Sequence, residues 1–201
     1  YGVSARIQGV QNVEVPLSSD FQLDVEGILA AANPHTKILF VCSPNNPTGN
    51  VLREDHILHL VDTFPGMIVI DEAYIDFAGH NGYRHLLSAH DNLVVLQTFS
   101  KAWGMASLRL GVAMADRALI ELLHKIKPPY NISGVVQSMA LEALQNTDWA
   151  QQCATVLIAQ RERLASALSG CPPVQKIYPS DANFLLVRMD NARRVYRKLL
   201  D

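Results

Sequence analysis

Short apolar runs rich in β-branched residues alternate along the chain with longer stretches whose apolar positions recur every three or four residues. That alternation predicts an α/β fold in which parallel strands are joined by crossover helices. Asp24 stands where it can cap a helix reaching about Ala32, and Asn33-Pro34 ends it. Lys37 to Cys42 (KILFVC) has no polar alternation and reads as a strand buried on both faces. After a polar loop at Ser43 to Asn50, a helix over Arg53 to Phe64 carries Ile57, Leu58 and Val61 on one face. Pro65-Gly66 breaks it, and Met67 to Ile70 (MIVI) predicts a second buried strand that runs into Asp71-Glu72. Beyond a loop at Gly79 to Gly82, Leu93 to Thr98 (LVVLQT) predicts a third strand and Leu110 to Ala115 a fourth, with Ser100-Lys101 between them. Arg117 to Lys127 is helical up to Pro128-Pro129, and Ser133 to Gln145 is a second apolar-faced helix.

Near Asn146 the texture changes, which divides the chain into a domain over 1–146 and the opening of a smaller α+β domain over 147–201. Thr147 or Asp148 is placed to cap a long amphipathic helix to about Leu168, stopped by Gly170 and Pro172-Pro173. Val174 to Tyr178 and Asn183 to Arg188 read as strands, and Ala192 to Leu200 as a further helix.

Composition narrows the class without naming a chemistry. With 201 residues, 49% of them apolar and 18% charged, the chain can bury a core unaided and is too hydrophobic to stay disordered. A net charge of -2 with scattered Lys and Arg leaves no basic footprint, so nucleic acid is not an expected partner. No apolar run approaches the ~20 residues that span a bilayer, so no membrane segment is expected. Cys42, Cys153 and Cys171 are odd in number and widely spaced, which fits a reducing compartment; a cytoplasmic location is expected. The chain begins at Tyr1 rather than Met, with no signal-peptide pattern after it, and reads as part of a longer protein.

The unusual polar sequences lie at the carboxyl ends of predicted strands, where open α/β sheets hold their ligands. They are Ser43-Pro44-Asn45-Asn46-Pro47-Thr48-Gly49, Asp71-Glu72-Ala73-Tyr74, and Thr98-Phe99-Ser100-Lys101-Ala102-Trp103-Gly104 followed by Ser107-Leu108-Arg109-Leu110-Gly111. Each alone has a plain reading as a turn, a cap or a solvated cation. His56 and His59 share a helix face, but no further ligand set accompanies them and no metal site is expected. A dinucleotide fold would need a G-x-G-x-x-G turn after a strand, and none is present.

Taken together, the order and spacing of the three loops resemble those of the fold-type I aminotransferases that use pyridoxal 5'-phosphate. The resemblance covers essentially the whole chain. The strings SPNNPTG, DEAYIDF, TFSKAWG with SLRLG, and YPSDANF are most similar to the histidinol-phosphate branch of that superfamily. It implies a three-layer, mainly parallel large domain followed by a smaller one. It also implies amino transfer between an amino-acid-like phosphate, histidinol phosphate, and 2-oxoglutarate by a ping-pong route in histidine biosynthesis, in a homodimer. Lys101 matches the lysine that forms an imine with the cofactor and later moves the substrate Cα proton. Asp71 matches the carboxylate facing the pyridine nitrogen, and Asn46 and Tyr74 match the donors to the phenolic oxygen. Ser100 and Arg109 match phosphate contacts, with Thr98 beside them, and Asn183 matches a residue on the substrate side. The family's glycine-rich phosphate turn, its partner-subunit tyrosine and its substrate-carboxylate arginines would fall outside the chain. Another enzyme of this fold, such as threonine-phosphate decarboxylase or an aromatic or aspartate aminotransferase, and a non-catalytic ligand-binding module are the alternatives.

Overall fold

The computed structural model describes residues 1–200. A four-stranded sheet is formed by β1 (Ile38–Cys42), β2 (Met67–Asp71), β3 (Leu93–Thr98) and β4 (Gly111–Ala115), in that spatial order. The first three are parallel, so their carboxyl ends share one edge of the sheet. The fourth runs antiparallel to β3, the one antiparallel pairing in a sheet that is otherwise parallel, as a mainly parallel sheet allows. Its connection explains why: Phe99 to Leu110 turns back through positive φ at Gly104 and Arg109, with a short 3-10 turn at Ala106–Leu108. That reversal occupies the length a helical crossover would need. Between β2 and β3 the link likewise has no α-helix, only two 3-10 turns at Ile75–Phe77 and Arg84–Ser88.

One sheet face makes the main core. Val41, Ile68, Ile70, Leu93 and Val95 project from it onto Ile28 of helix α2 (Val25–Ala31) and Ile57, Leu60 and Val61 of helix α3 (Glu54–Thr63), all buried. Asp24 caps α2 as expected, its carboxylate accepting from the Gly27 N–H. The opposite face is covered unevenly. Val69 and Val94 are buried there, but Ile38 and Phe40 are exposed, which corrects the expectation that β1 is buried on both sides. β1 is an outer strand of this sheet, and the ring of Tyr1, ahead of helix α1 (Gly2–Ile7), stacks on Phe40 at 4.3 Å.

Helices α4 (Arg117–Ile126) and α5 (Gly134–Gln145) are capped by Asp116 and Ser133. Helix α6 (Thr147–Ser169) starts after Asn146, whose side chain makes no cap; neither Thr147 nor Asp148 takes that position, because both already lie inside the helix. A two-stranded antiparallel sheet follows, β5 (Val174–Ile177) with β6 (Val187–Met189), then helix α7 (Ala192–Leu200). The strand expected from Asn183 is therefore shorter. Ser180 Oγ accepts from the Ala182 N–H and donates to the Phe184 carbonyl, bending 180–184 out of an extended path.

Candidate active site

The parallel strand ends bring three of the predicted residues into one cluster. The Asn46 amide donates to the Tyr74 hydroxyl at 3.1 Å, and Lys101 Nζ lies over the Tyr74 ring, 5.1 Å from its centre. Tyr74 is buried while Asn46 stays exposed, so the hydroxyl is reached from solvent on the amide's side. Since that hydroxyl accepts from Asn46, its own proton is free to point onward.

Asp71 ends β2 on the less covered sheet face, opposite Cys42 of β1 and Leu96 of β3. The Ala73 N–H donates to one carboxylate oxygen at 3.1 Å, and the Tyr1 hydroxyl donates to the other at 2.5 Å. Burial and the neighbouring carboxylate hold the Tyr1 phenol far above the ordinary tyrosine range, so Tyr1 is a donor here. Burial, followed by the Asp71 charge, also pushes the Cys42 thiol up, which suits a packing role.

Glu72, next in sequence, points the other way and is 1% exposed. Its carboxyl accepts from the Tyr83 N–H at 2.5 Å and from Gln97 Nε2 at 2.8 Å; burial raises its pKa despite both bonds. Gly82 has φ +71, and a Cβ there would come within 2.6 Å of the Glu72 oxygens, so the corner needs glycine. Tyr83, pushed up to about 12 by burial, donates to the Leu52 carbonyl at 3.0 Å and so braces the far end of the Asn46 loop.

The remaining candidates are arranged more loosely. Thr98 Oγ1 accepts from the Ser100 N–H and donates to the Leu110 carbonyl, so this hydroxyl is engaged in shaping the loop. Because β4 is antiparallel, Arg109 returns to the same sheet edge as Ser100 and Lys101; it is exposed, left-handed, and donates to the Ala106 carbonyl. Asn183 is exposed as well. Its neighbours do the packing: Phe184 meets the Tyr74 ring edge-on at 5.1 Å, and Ala182 is fully buried in a second core with Phe77, Ala102 and Ala154. Tyr1, Asp181 and Phe184 were not singled out from the sequence. Only the aromatic character of Phe184 beside a turn hints at such a contact.

Comparison with known proteins decides what this cluster belongs to. The family model for aminotransferase class I and II matches residues 1–201. The chain belongs to that family. It is 51% identical over 201 residues to a histidinol-phosphate aminotransferase of Cytophaga hutchinsonii and 45% identical to one of Flavobacterium johnsoniae. All of this chain aligns in both cases, and it spans 58% of the length of each relative. Among solved structures, the histidinol-phosphate aminotransferase of Sinorhizobium meliloti in complex with pyridoxal-5'-phosphate superposes with a TM-score of 0.88 at 25% identity, over 99% of this chain and 56% of that one. The family's α/β architecture with a mainly parallel sheet is thus the fold of this chain, its antiparallel β4 included.

The donor set fits pyridoxal phosphate. An amine, a carboxylate, two neutral donors meeting at one point, and a guanidinium with a nearby serine complement an aldehyde, a ring nitrogen, a phenolic oxygen and a phosphate respectively. Away from these residues, His56 and His59 border a groove of about 860 Å³ with Asp20, Asp24 and Asp55. Among the described residues no group of three His, Cys, Asp or Glu side chains is placed to hold a metal ion.

Proposed function

We propose that the chain is the catalytic floor of an aminotransferase that moves an amino group between histidinol phosphate and 2-oxoglutarate with pyridoxal 5'-phosphate, in histidine biosynthesis. Residues 1–146 are its large-domain part and 147–201 the opening of its small domain. The observation that carries this reading is the convergence of Asn46, Tyr74 and Lys101 at the strand ends that also present Asp71. When bound, the cofactor supplies an electron sink for charge developing at the substrate Cα. The Lys101 amine would take the proton from that carbon and pass it to the cofactor's aldehyde carbon rather than back to the Cα, which is what lets the amino group stay behind. Asp71, its carboxylate aimed by the Ala73 N–H, would pair with the ring nitrogen and keep it protonated. Asn46 and Tyr74 donate to the phenolic oxygen and orient the ring. Ser100 and Arg109 bind the phosphate, with Thr98 shaping the loop they share, and Asn183 lies toward the substrate.

The identity to histidinol-phosphate aminotransferases supports the substrate assignment. Exposed apolar residues such as Leu122, Ile126 and Leu141 support a homodimer, and the three unpaired cysteines support a cytoplasmic location. Among the described residues no helix is long and apolar enough to cross a membrane.

The test uses the complete protein. With histidinol phosphate and 2-oxoglutarate it should form glutamate and the keto phosphate product. Release of CO2 from threonine phosphate instead, or no turnover, overturns the substrate assignment. Borohydride reduction followed by peptide mapping should fix the cofactor on Lys101; a label on Lys125 or Lys127 overturns the site.

A further inference from the structure

The loop carrying Asn46 shapes itself but does not aim itself. The Asn45 N–H donates to the Asn50 carbonyl at 2.9 Å and the Gly49 N–H to the Asn45 carbonyl at 2.7 Å, closing the loop into a compact ring. Asn45 Nδ2 adds a bond to Thr48 Oγ1. At the base, the Leu52 N–H donates to Ser43 Oγ. The returning limb, Gly49 to Val51, has a partner from far along the chain. The Asp181 carboxylate accepts from the Val51 N–H at 2.8 Å, and the Asp181 N–H donates to the Gly49 carbonyl at 2.6 Å. One residue thereby both donates to and accepts from the returning limb, as a neighbouring strand would. The approach is close enough to exclude a side chain on the loop. Gly49 has φ +82, and a Cβ there would stand 2.5 Å from Ser180 Oγ.

The bracket is itself rigidly mounted. Arg161 of α6, its side chain 11% exposed, donates from Nη1 to the Ala182 carbonyl at 2.7 Å. Ser180 Oγ holds the turn through Ala182 and Phe184. Phe184 then packs edge-on against Tyr74, the residue that accepts from Asn46. The segment Ser180–Phe184 consequently touches both halves of the Asn46–Tyr74 pair, Asp181 through the Asn46 loop and Phe184 through the tyrosine ring.

We propose that Asp181 is a positioning residue of the active site: by bracketing Gly49–Val51, the limb by which the Asn46 loop returns, it fixes the Asn46 amide against the Tyr74 hydroxyl, so that the two donors meet a single acceptor of the cofactor. The claim rests on the assignment of Asn46 and Tyr74 given under Proposed function. A carboxylate suits the task because a charged acceptor holds a backbone N–H more tightly than a neutral one. With the carboxylate gone, the Val51 N–H loses its partner. From outside the loop, Gly49–Val51 is then held only by the residue-181 N–H on the Gly49 carbonyl, by Gln22 Nε2 on the Val51 carbonyl and by Asn50 Nδ2 on the Phe21 carbonyl, which leaves the Asn46 loop looser.

The test compares wild type, Asp181→Ala, Asp181→Asn, Asn46→Ala and the Asp181→Ala/Asn46→Ala double variant of the complete protein. Amide hydrogen exchange over 45–51 is read without cofactor. The pyridoxal phosphate dissociation constant and the pH midpoint of the bound cofactor's visible band are read with it. Asp181→Ala should speed exchange at 49–51 by about tenfold or more while 67–71 and 93–98 stay protected. It should also weaken cofactor binding by about tenfold and move the band's midpoint. Asp181→Asn, whose Oδ1 still accepts from Val51, should stay within about threefold of wild type. In the Asn46→Ala background, Asp181→Ala should add no further change in affinity or midpoint, since both act through one amide.

Unchanged exchange in Asp181→Ala overturns the bracket. Faster exchange with unchanged affinity and midpoint, or fully additive effects in the double variant, shows a purely structural contact and overturns the positioning role. Wild-type protein that takes up no pyridoxal phosphate would instead overturn the functional assignment of Asn46, while the exchange data still decide whether the bracket exists.

Discussion

Helices α3 and α4 are both ten residues long and both present an apolar face, yet they end in opposite situations. Ile57, Leu60 and Val61 of α3 are buried against the sheet, whereas α4 buries nothing and leaves Leu122 and Ile126 more than half exposed. The same contrast divides the molecule. The side of the sheet under α2 and α3 is packed by this chain's own residues. Helices α4 and α5, by contrast, leave apolar side chains such as Leu122, Ile126 and Leu141 exposed among the described residues. A helical pattern tells which face is apolar; the identity of its cover is a property of the whole assembly.

Three measurements press on that contrast. The sheet should give the larger effects, beginning with chemistry. In the complete protein, Asp71→Asn should leave the cofactor bound but slow the first half-reaction by about a hundredfold or more, because the amide removes the charge facing the ring nitrogen. Stopped-flow absorbance reads this rate, and a value within a few-fold of wild type would remove Asp71 from the pyridine-nitrogen role.

Next comes packing. In the 201-residue chain, Leu60→Ala should cost about 2–5 kcal/mol in urea unfolding, since its side chain is 1% exposed. Leu122→Ala, at 56% exposed, should change stability by less than about 0.5 kcal/mol. In the complete protein the second cost should rise above about 1 kcal/mol if that face of α4 is covered there. Equal costs for the two leucines in the short chain would erase the distinction between the helices.

The smallest effect is a change of slope. Glu72 sits next to β2 with its pKa raised by burial, so the folded protein keeps a proton that the unfolded chain has already lost. Its stabilising contribution is complete below the ordinary glutamate value of 4.5 and fades as pH climbs toward the raised folded value. Glu72→Gln should therefore flatten the fall in stability with rising pH above that point. Urea midpoints at several pH values above it provide the check, and parallel curves for the two proteins would contradict it.

Much of this was legible in residue order. The strands, helix α3, the caps at Asp24 and the candidates at the ends of β1, β2 and β3 follow from local patterns, because apolar runs and capping side chains act over a few residues. The direction of β4 did not follow, since its run of apolar residues is equally suited to a parallel or an antiparallel neighbour. Nor did the exposure of Ile38 and Phe40, which depends on what lies over them. YPSDANF drew attention to Asn183, but the packing uses Asp181 and Phe184 on either side. Nothing within a few residues of Asp181 marks its partner, and only Gly49, which tolerates no side chain, records that another segment comes close.

The antiparallel return of β4 also bears on the order in which the site can assemble. It ties Ser100, Lys101 and Arg109 into one short covalent excursion, closed by a Thr98–Leu110 bond across 12 positions. The Asp181–Val51 bond closes across 130. For a flexible chain, closing the longer span costs about 2 kcal/mol more in entropy. The lysine and its arginine are thus neighbours as soon as the hairpin forms, and the aiming of Asn46 waits for the chain's far end to arrive.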